Sequence, residues 1–161
     1  MTHSQNPSWV QAQEDLKGSM QKEISTMREI LSNILQEEVA LLDHDKDSWG
    51  QLMQSRFHMI EQVKIVRKGR MDATQKLLSL SDEKIFNKIL SENEEEACEI
   101  SFLLDQLIAL SDKINHQNIR NQSLLENSEH FLAIPHRMDY PPHLYMIPIV
   151  KSRKNFLMTI P

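Results

Sequence analysis

The sequence predicts an all-α fold: an elongated, antiparallel three-helix, coiled-coil-like bundle over residues 1–132, followed by a proline-rich tail over 133–161. Three observations carry this. The 161-residue chain has three glycines and six prolines, and between Pro7 and Pro135 there is no further proline. β sandwiches, barrels and βαβ folds need far more turn residues than that. Apolar residues instead recur every three or four positions over long stretches, the period of an amphipathic helix. The connections between those stretches are short, so consecutive rods must run up, down and up to bury their stripes.

The first helix is expected from about Ser8 to Leu42, with the stripe Leu16, Met20, Ile24, Met27, Leu31, Leu35, Val39 and Leu42. The acidic run Asp43–Asp47 interrupts it, and Asp45 or Asp47 can cap the next helix. That second helix is expected to reach about Leu78, with the stripe Trp49, Met53, Phe57, Ile60, Val63, Val66, Ala73 and Leu77. Arg70 falls where the next apolar residue belongs, which predicts loose or exposed packing there. Ser81 can cap a short helix carrying Ile85, Phe86, Ile89 and Leu90. Ser91 with Glu94 matches a capping box, which favours a kink or restart over a continuous helix. The third rod then runs to about Phe131. Its seam, 86, 90, 93, 97, 100, 104, 107, 111, 114, 118, 121 and 125, alternates steps of four and three, as in a left-handed supercoil.

Charge divides the chain. Residues 1–132 carry 14 Lys+Arg against 22 Asp+Glu, a balance of −8, whereas 133–161 carry four basic residues and one acid, +3. An acidic body repels phosphate backbones, so nucleic acid is not expected as a partner. The one basic cluster of the body, Lys64 to Arg70, reads as a solvated helix face. A single cysteine, Cys98, rules out a disulfide within the chain and reads as a buried thiol. The N-terminal stretch is polar and no apolar run approaches ~20 residues, so neither a signal segment nor membrane insertion is expected, and the default location is cytoplasmic. The tail nevertheless holds eleven large apolar residues between Tyr140 and Ile160, too many for a solvated tail. It is expected to pack on the bundle or to order on a partner.

No catalytic constellation emerges. Asp43, Asp45 and Asp47 open like a calcium loop, but Ser48 stands where glycine is required and Gln54 where the bidentate glutamate belongs. His130, His136 and His143 lack the spacing of converging metal ligands. Glu94–Glu96 and Glu99 lack the Glu-x-x-His companions of a carboxylate-bridged metal site. Cys98 and His116 lie five turns apart on one rod, ~27 Å, beyond reach of each other. The glycines Gly18, Gly50 and Gly69 stand alone, so there is no phosphate loop. Neither enzyme, cofactor nor metal is therefore expected. Asn118 and Asn121 sit on the third seam, where a buried carboxamide needs partners. They either set register between rods or hydrogen-bond a bound partner helix.

Two stretches resemble the FlgN family of flagellar and type III secretion export chaperones. The first is Glu37-Glu38-Val39-Ala40-Leu41-Leu42 with Asp45, Trp49, Leu52 and Met53, and with Arg56 where the family usually has lysine. The second is Lys113 to Leu125, whose core is Asn118-x-x-Asn121-x-x-Leu124-Leu125. The resemblance covers roughly residues 16–132. It implies a similar helical fold and a cytoplasmic chaperone that binds the terminal helices of a secreted substrate, such as a hook-filament junction protein, through the segment after the asparagines. It also implies a tyrosine contact with the export gate, for which Tyr140 and Tyr145 are the candidates. The expected partner-binding set is Asn118, Asn121, Leu124, Leu125, Tyr140, Leu144, Tyr145, Ile147 and Ile149. The competing expectation is a structural coiled-coil stalk or scaffold coupling an export ATPase to its gate.

Overall fold

A computed structural model describes residues 7–81, 84, 95–131 and 156, with only the backbone of Glu95 to Cys98. The described residues form three long helices, α1 (Pro7–Leu42), α2 (Lys46–Leu80) and α3 (Glu95–Asn127), and a closing 3-10 turn, η1 (Glu129–Phe131). At ~1.5 Å per residue the 36 residues of α1 span roughly 54 Å. The closest pairings are of α1 with α2 and of α1 with α3, so α1 is the central rod. Asp15 meets Lys76 and Glu37 meets Trp49, so α1 and α2 are antiparallel. Lys17 meets Glu99 and the Ile34 carbonyl meets Asn121, so α3 runs parallel to α1. This is the up, down, up order expected.

The α1–α2 connection is two residues of turn and one extended cap. The Asp45 amide donates to the Ala40 carbonyl (2.9 Å) and the His44 amide to the Leu41 carbonyl (3.3 Å). That double closure requires a left-handed residue, and His44 supplies it with φ 57°. Asp45 then caps α2: its carboxylate accepts from the Ser48 hydroxyl (2.6 Å) and the Ser48 amide (3.0 Å). These bonds, the hydroxyl first, hold the Asp45 carboxyl below its ordinary range. A carboxyl depressed in the folded state stabilises the fold above its unfolded pKa, and that stabilisation is lost as pH falls through the folded one. Replacing Asp45 with alanine should therefore lower the melting temperature at pH 7, and the difference should shrink below about pH 3.8. A melting series from pH 2 to 7 checks this, and a pH-independent difference would refute it.

The buried positions form three heptad seams. On α3 these are Ile100, Leu104, Leu107, Ser111, Ile114, Asn118, Asn121 and Leu125, as the spacing predicted. On α1 the seam is Leu16, Met20, Glu23, Met27, Ile30, Ile34, Glu37 and Leu41. The expected stripe fails in its second half, since Leu35, Val39 and Leu42 are 46%, 58% and 54% exposed. Consecutive steps of four each advance about 40° around a helix, so a line through Met27, Leu31, Leu35 and Val39 leaves the buried face. On α2 the seam is Trp49, Met53, Arg56, Ile60, Val63, Arg67, Arg70, Thr74 and Leu77. Phe57 lies outside it at 52% exposure, and Arg70, far from loose, is 2% exposed. On α2 the buried Arg56 stands beside Phe57 in the place where the apolar line was expected, whereas on α1 the line left the seam at Leu31 and Leu35, next to the buried Ile30 and Ile34.

These seams make two apolar clusters. The larger runs from Trp9 to Ile34 on α1 and includes Leu77, Leu104, Leu107 and Phe156. The smaller joins Ala40, Leu41, Trp49, Met53, Leu125 and Phe131 at the loop end. There Trp49 meets Phe131 edge-on with centroids 5.6 Å apart, and the rings of His44 and His130 stack at 3.9 Å. The expected short helix and restart over 82–94, the Cys98 side chain and the tail apart from Phe156 lie outside the described residues. Among the described residues no helix is long and apolar enough to cross a membrane.

Candidate partner-binding site

Between the two apolar clusters lies a polar layer drawn from all three helices. Its centre is Glu37, 3% exposed. The Glu37 carboxylate accepts from the Trp49 indole (3.2 Å) and from the Asn121 amide (2.8 Å), and pairs with the Arg56 guanidinium (2.7 Å). Arg56 also donates through Nε to the Asn33 side chain (2.7 Å), and Asn33 donates to the Leu52 carbonyl (3.1 Å). Asn121 donates to the Ile34 carbonyl as well (2.8 Å) and accepts from Gln117 (2.9 Å). At the surface, Gln117 and Arg120 both bind Glu38.

A second polar layer lies farther along. Glu23, fully buried, accepts from Arg67 (3.2 Å) and Arg70 (2.5 Å). Burial lowers the basicity of Arg67 and Arg70 adds to that effect, while Glu23 opposes both. Glu23 and Glu37 are two heptads apart on α1, and Arg56 and Arg70 are two heptads apart on α2. Only one antiparallel register pairs both sets. A slip of one heptad sets the glutamates level with Trp49, Val63 or Leu77 and strands buried charges, which costs several kcal/mol.

The expected site residues divide. Asn121 and Leu125 are interior, and Leu124 is half-buried against the loop-end cluster. Asn121 uses both ends of its carboxamide on Gln117, Ile34 and Glu37 within the bundle. Asn118 is 8% exposed and its Nδ2 has no hydrogen-bond partner among the described residues. Of the two, Asn118 is therefore the one with bonding capacity to spare. Tyr140, Leu144, Tyr145, Ile147 and Ile149 lie outside the described residues.

The asparagines should accordingly respond in opposite ways. Asn121→Leu removes a donor shared by two buried acceptors and should cost about 1–3 kcal/mol. Asn118→Leu removes an unpaired amide and should leave the melting temperature unchanged or raised. Urea unfolding of the two single variants measures this, and equal losses would contradict it.

The reading of the Lys64 to Arg70 cluster as a solvated face missed Arg67 and Arg70, and Glu23 and Asn33 were not singled out at all. A signal was present: charges standing at heptad positions within apolar seams, with matched spacing on successive rods. The outer surface also offers a face. Leu35, Val39 and Leu42 are exposed on α1, and Val39 borders a groove of about 440 Å3 between α1 and α2 whose lining includes Ala40, Leu52, Asp43, Asp45 and Ser55. No protein-family model, curated protein or solved structure matches the chain. Among the described residues no three His, Cys, Asp or Glu side chains converge as metal ligands.

Proposed function

We propose that the chain is a cytoplasmic export chaperone that binds the terminal helices of a secreted flagellar or type III secretion substrate and keeps it unassembled until export. One observation carries this reading. The two stretches that resemble the FlgN family are 57 positions apart in sequence, from Arg56 to Lys113, yet Glu37, Trp49 and Arg56 of the first and Asn121 of the second meet in one hydrogen-bonded layer. The residues of the resemblance thus act as a unit at one end of the bundle. The exposed row Leu35, Val39 and Leu42 and the spare amide of Asn118 add apolar and polar contacts of the kind an amphipathic helix uses. On this reading the export gate is a second partner, through Tyr140 or Tyr145.

The test is light scattering on the chain alone and mixed with terminal helices of candidate secreted subunits. A stoichiometric complex is expected, and Asn118→Leu should weaken it without unfolding the bundle. Unchanged mass with every subunit would overturn the reading. The three continuous heptad seams favour a second one, a structural stalk coupling an export ATPase to its gate. That predicts self-association or binding to those two components, with indifference to secreted subunits.

A further inference from the structure

The groove between α1 and α2 at the loop end has an apolar floor that rests on the core. Ala40 is buried in the loop-end cluster, and the half-buried Leu52 packs against it. Gln36, Val39 and Asp43 form the α1 wall, and Ser48, Gln51 and Ser55 the α2 wall. Ser48 and Ser55 are one heptad apart, so two small side chains stand on one line of α2 and let a further rod approach closely. Across from them, Val39 stands at the rim between Leu35 and Leu42, at steps of four and three, and all three are exposed. An apolar ridge along one helix, beside a groove along two, matches the face of an amphipathic helix laid lengthwise.

The charge of this groove has one sign. Asp43 and Asp45 line it, and no basic residue does. Asp45 is engaged in capping through Ser48, whereas the Asp43 carboxylate makes no hydrogen bond or ion pair among the described residues. The basic residues nearest in sequence do not neutralise it. Arg28 donates to Gln106 on α3 (3.2 Å), and Arg56 is buried on Glu37. Lys46 is flanked by Asp45 and Asp47, so the connection from Asp43 to Asp47 stays acidic. A cation brought to the rim is therefore attracted, and an anion repelled.

We propose that the α1–α2 groove is a docking site for an amphipathic helix of a partner protein, with apolar side chains seated on Val39, Ala40 and Leu52 and a lysine or arginine beside Asp43. The apolar contact supplies the affinity. The pair with Asp43 sets the orientation of the incoming helix and discriminates against acidic ones. The inference rests on the reading of this chain as a helix-binding protein, and adds to it the face that binds and the charge the partner must carry.

The test follows the Ser48, Gln51 and Ser55 amides of the full chain by nitrogen-15 NMR as synthetic peptides of about 18 residues are added. One peptide has a leucine face flanked by lysines, one has glutamates in place of the lysines, and one scrambles the first so that no apolar face forms. The lysine peptide should shift those amides. The glutamate peptide should bind at least about tenfold more weakly at about 50 mM salt and about pH 7.5, where His44 is neutral. Asp43→Asn should keep the fold and weaken the lysine peptide about two- to fivefold. No shift up to millimolar peptide, a scrambled peptide that binds as well, equal binding of the two charge forms, or unchanged affinity in Asp43→Asn would overturn the proposal. So would the same shifts on concentrating the chain alone, which would make a second copy the occupant. A complex with a secreted subunit that leaves these amides unshifted would overturn the groove and spare the export reading. Peptide binding without any secreted subunit bound would do the reverse.

Discussion

Replacing Glu37 with alanine should destabilise the protein by about 3–5 kcal/mol, because it leaves the Arg56 guanidinium in the interior without its carboxylate. The Trp49 and Asn121 donors lose an acceptor in the same step. For a chain of this size each kcal/mol lowers the melting temperature by roughly 2–4 °C, so a fall on the order of 10 °C is expected. Replacing Glu37 and Arg56 together with methionine should cost less than Glu37→Ala alone, since no uncompensated charge remains. Thermal melts of the variants measure both effects. A fall below 2 °C for Glu37→Ala would show that the carboxylate is not held as described. The same layer explains why the net value of the pair and its structural value differ. Burying two charges gains little over apolar packing, but the pairing rejects every other register of α1 on α2.

Truncation after Leu132 should cost about 3–5 kcal/mol, even though all three long helices remain. The sequence left open whether the tail packs on the bundle or orders on a partner. Phe156 packs on the bundle, because it is part of the main core cluster and buries against Arg70. Phe→Ala replacement in a core costs on the order of 3–5 kcal/mol, and truncation should match it unless other tail residues add to the loss. The far-UV circular dichroism of the truncated chain should stay helical while its urea midpoint falls. Phe156→Leu should recover part of the difference, since it refills volume but not the ring face that Arg70 covers. A truncated chain as stable as the full one would show that Phe156 contributes no core packing.

How far the residues could be read in advance depended on what competes for a seam position. On α3 no charged residue occupies the described seam, so the apolar period alone located Ile100 to Leu125 correctly, with the polar Ser111, Asn118 and Asn121 in register. On α1 and α2 the apolar period bypasses Glu23, Glu37, Arg56, Arg67 and Arg70, which are buried on the seams. Ile24 and Ala73, next to Glu23 and Arg70, are still interior, but the line past Ile30 and Ile34 and the one past Arg56 placed Leu35, Val39 and Phe57 inside, where they are not. The candidate site was legible to the same degree. The residues of the resemblance could be named from sequence, but their meeting around Glu37 could not.

The sequence by itself determined the helical class, the three rods, a cap at Asp45 or Asp47 and the third seam, because these depend on neighbours within a turn or on a period along one helix. Only the tertiary structure decided which charges are interior, which asparagine is saturated and where Phe156 lies. Those outcomes depend on what stands opposite across a helix pair. A glutamate is solvated or buried according to whether an arginine on another rod arrives at the same level, and one-dimensional periodicity carries no information about that arrival.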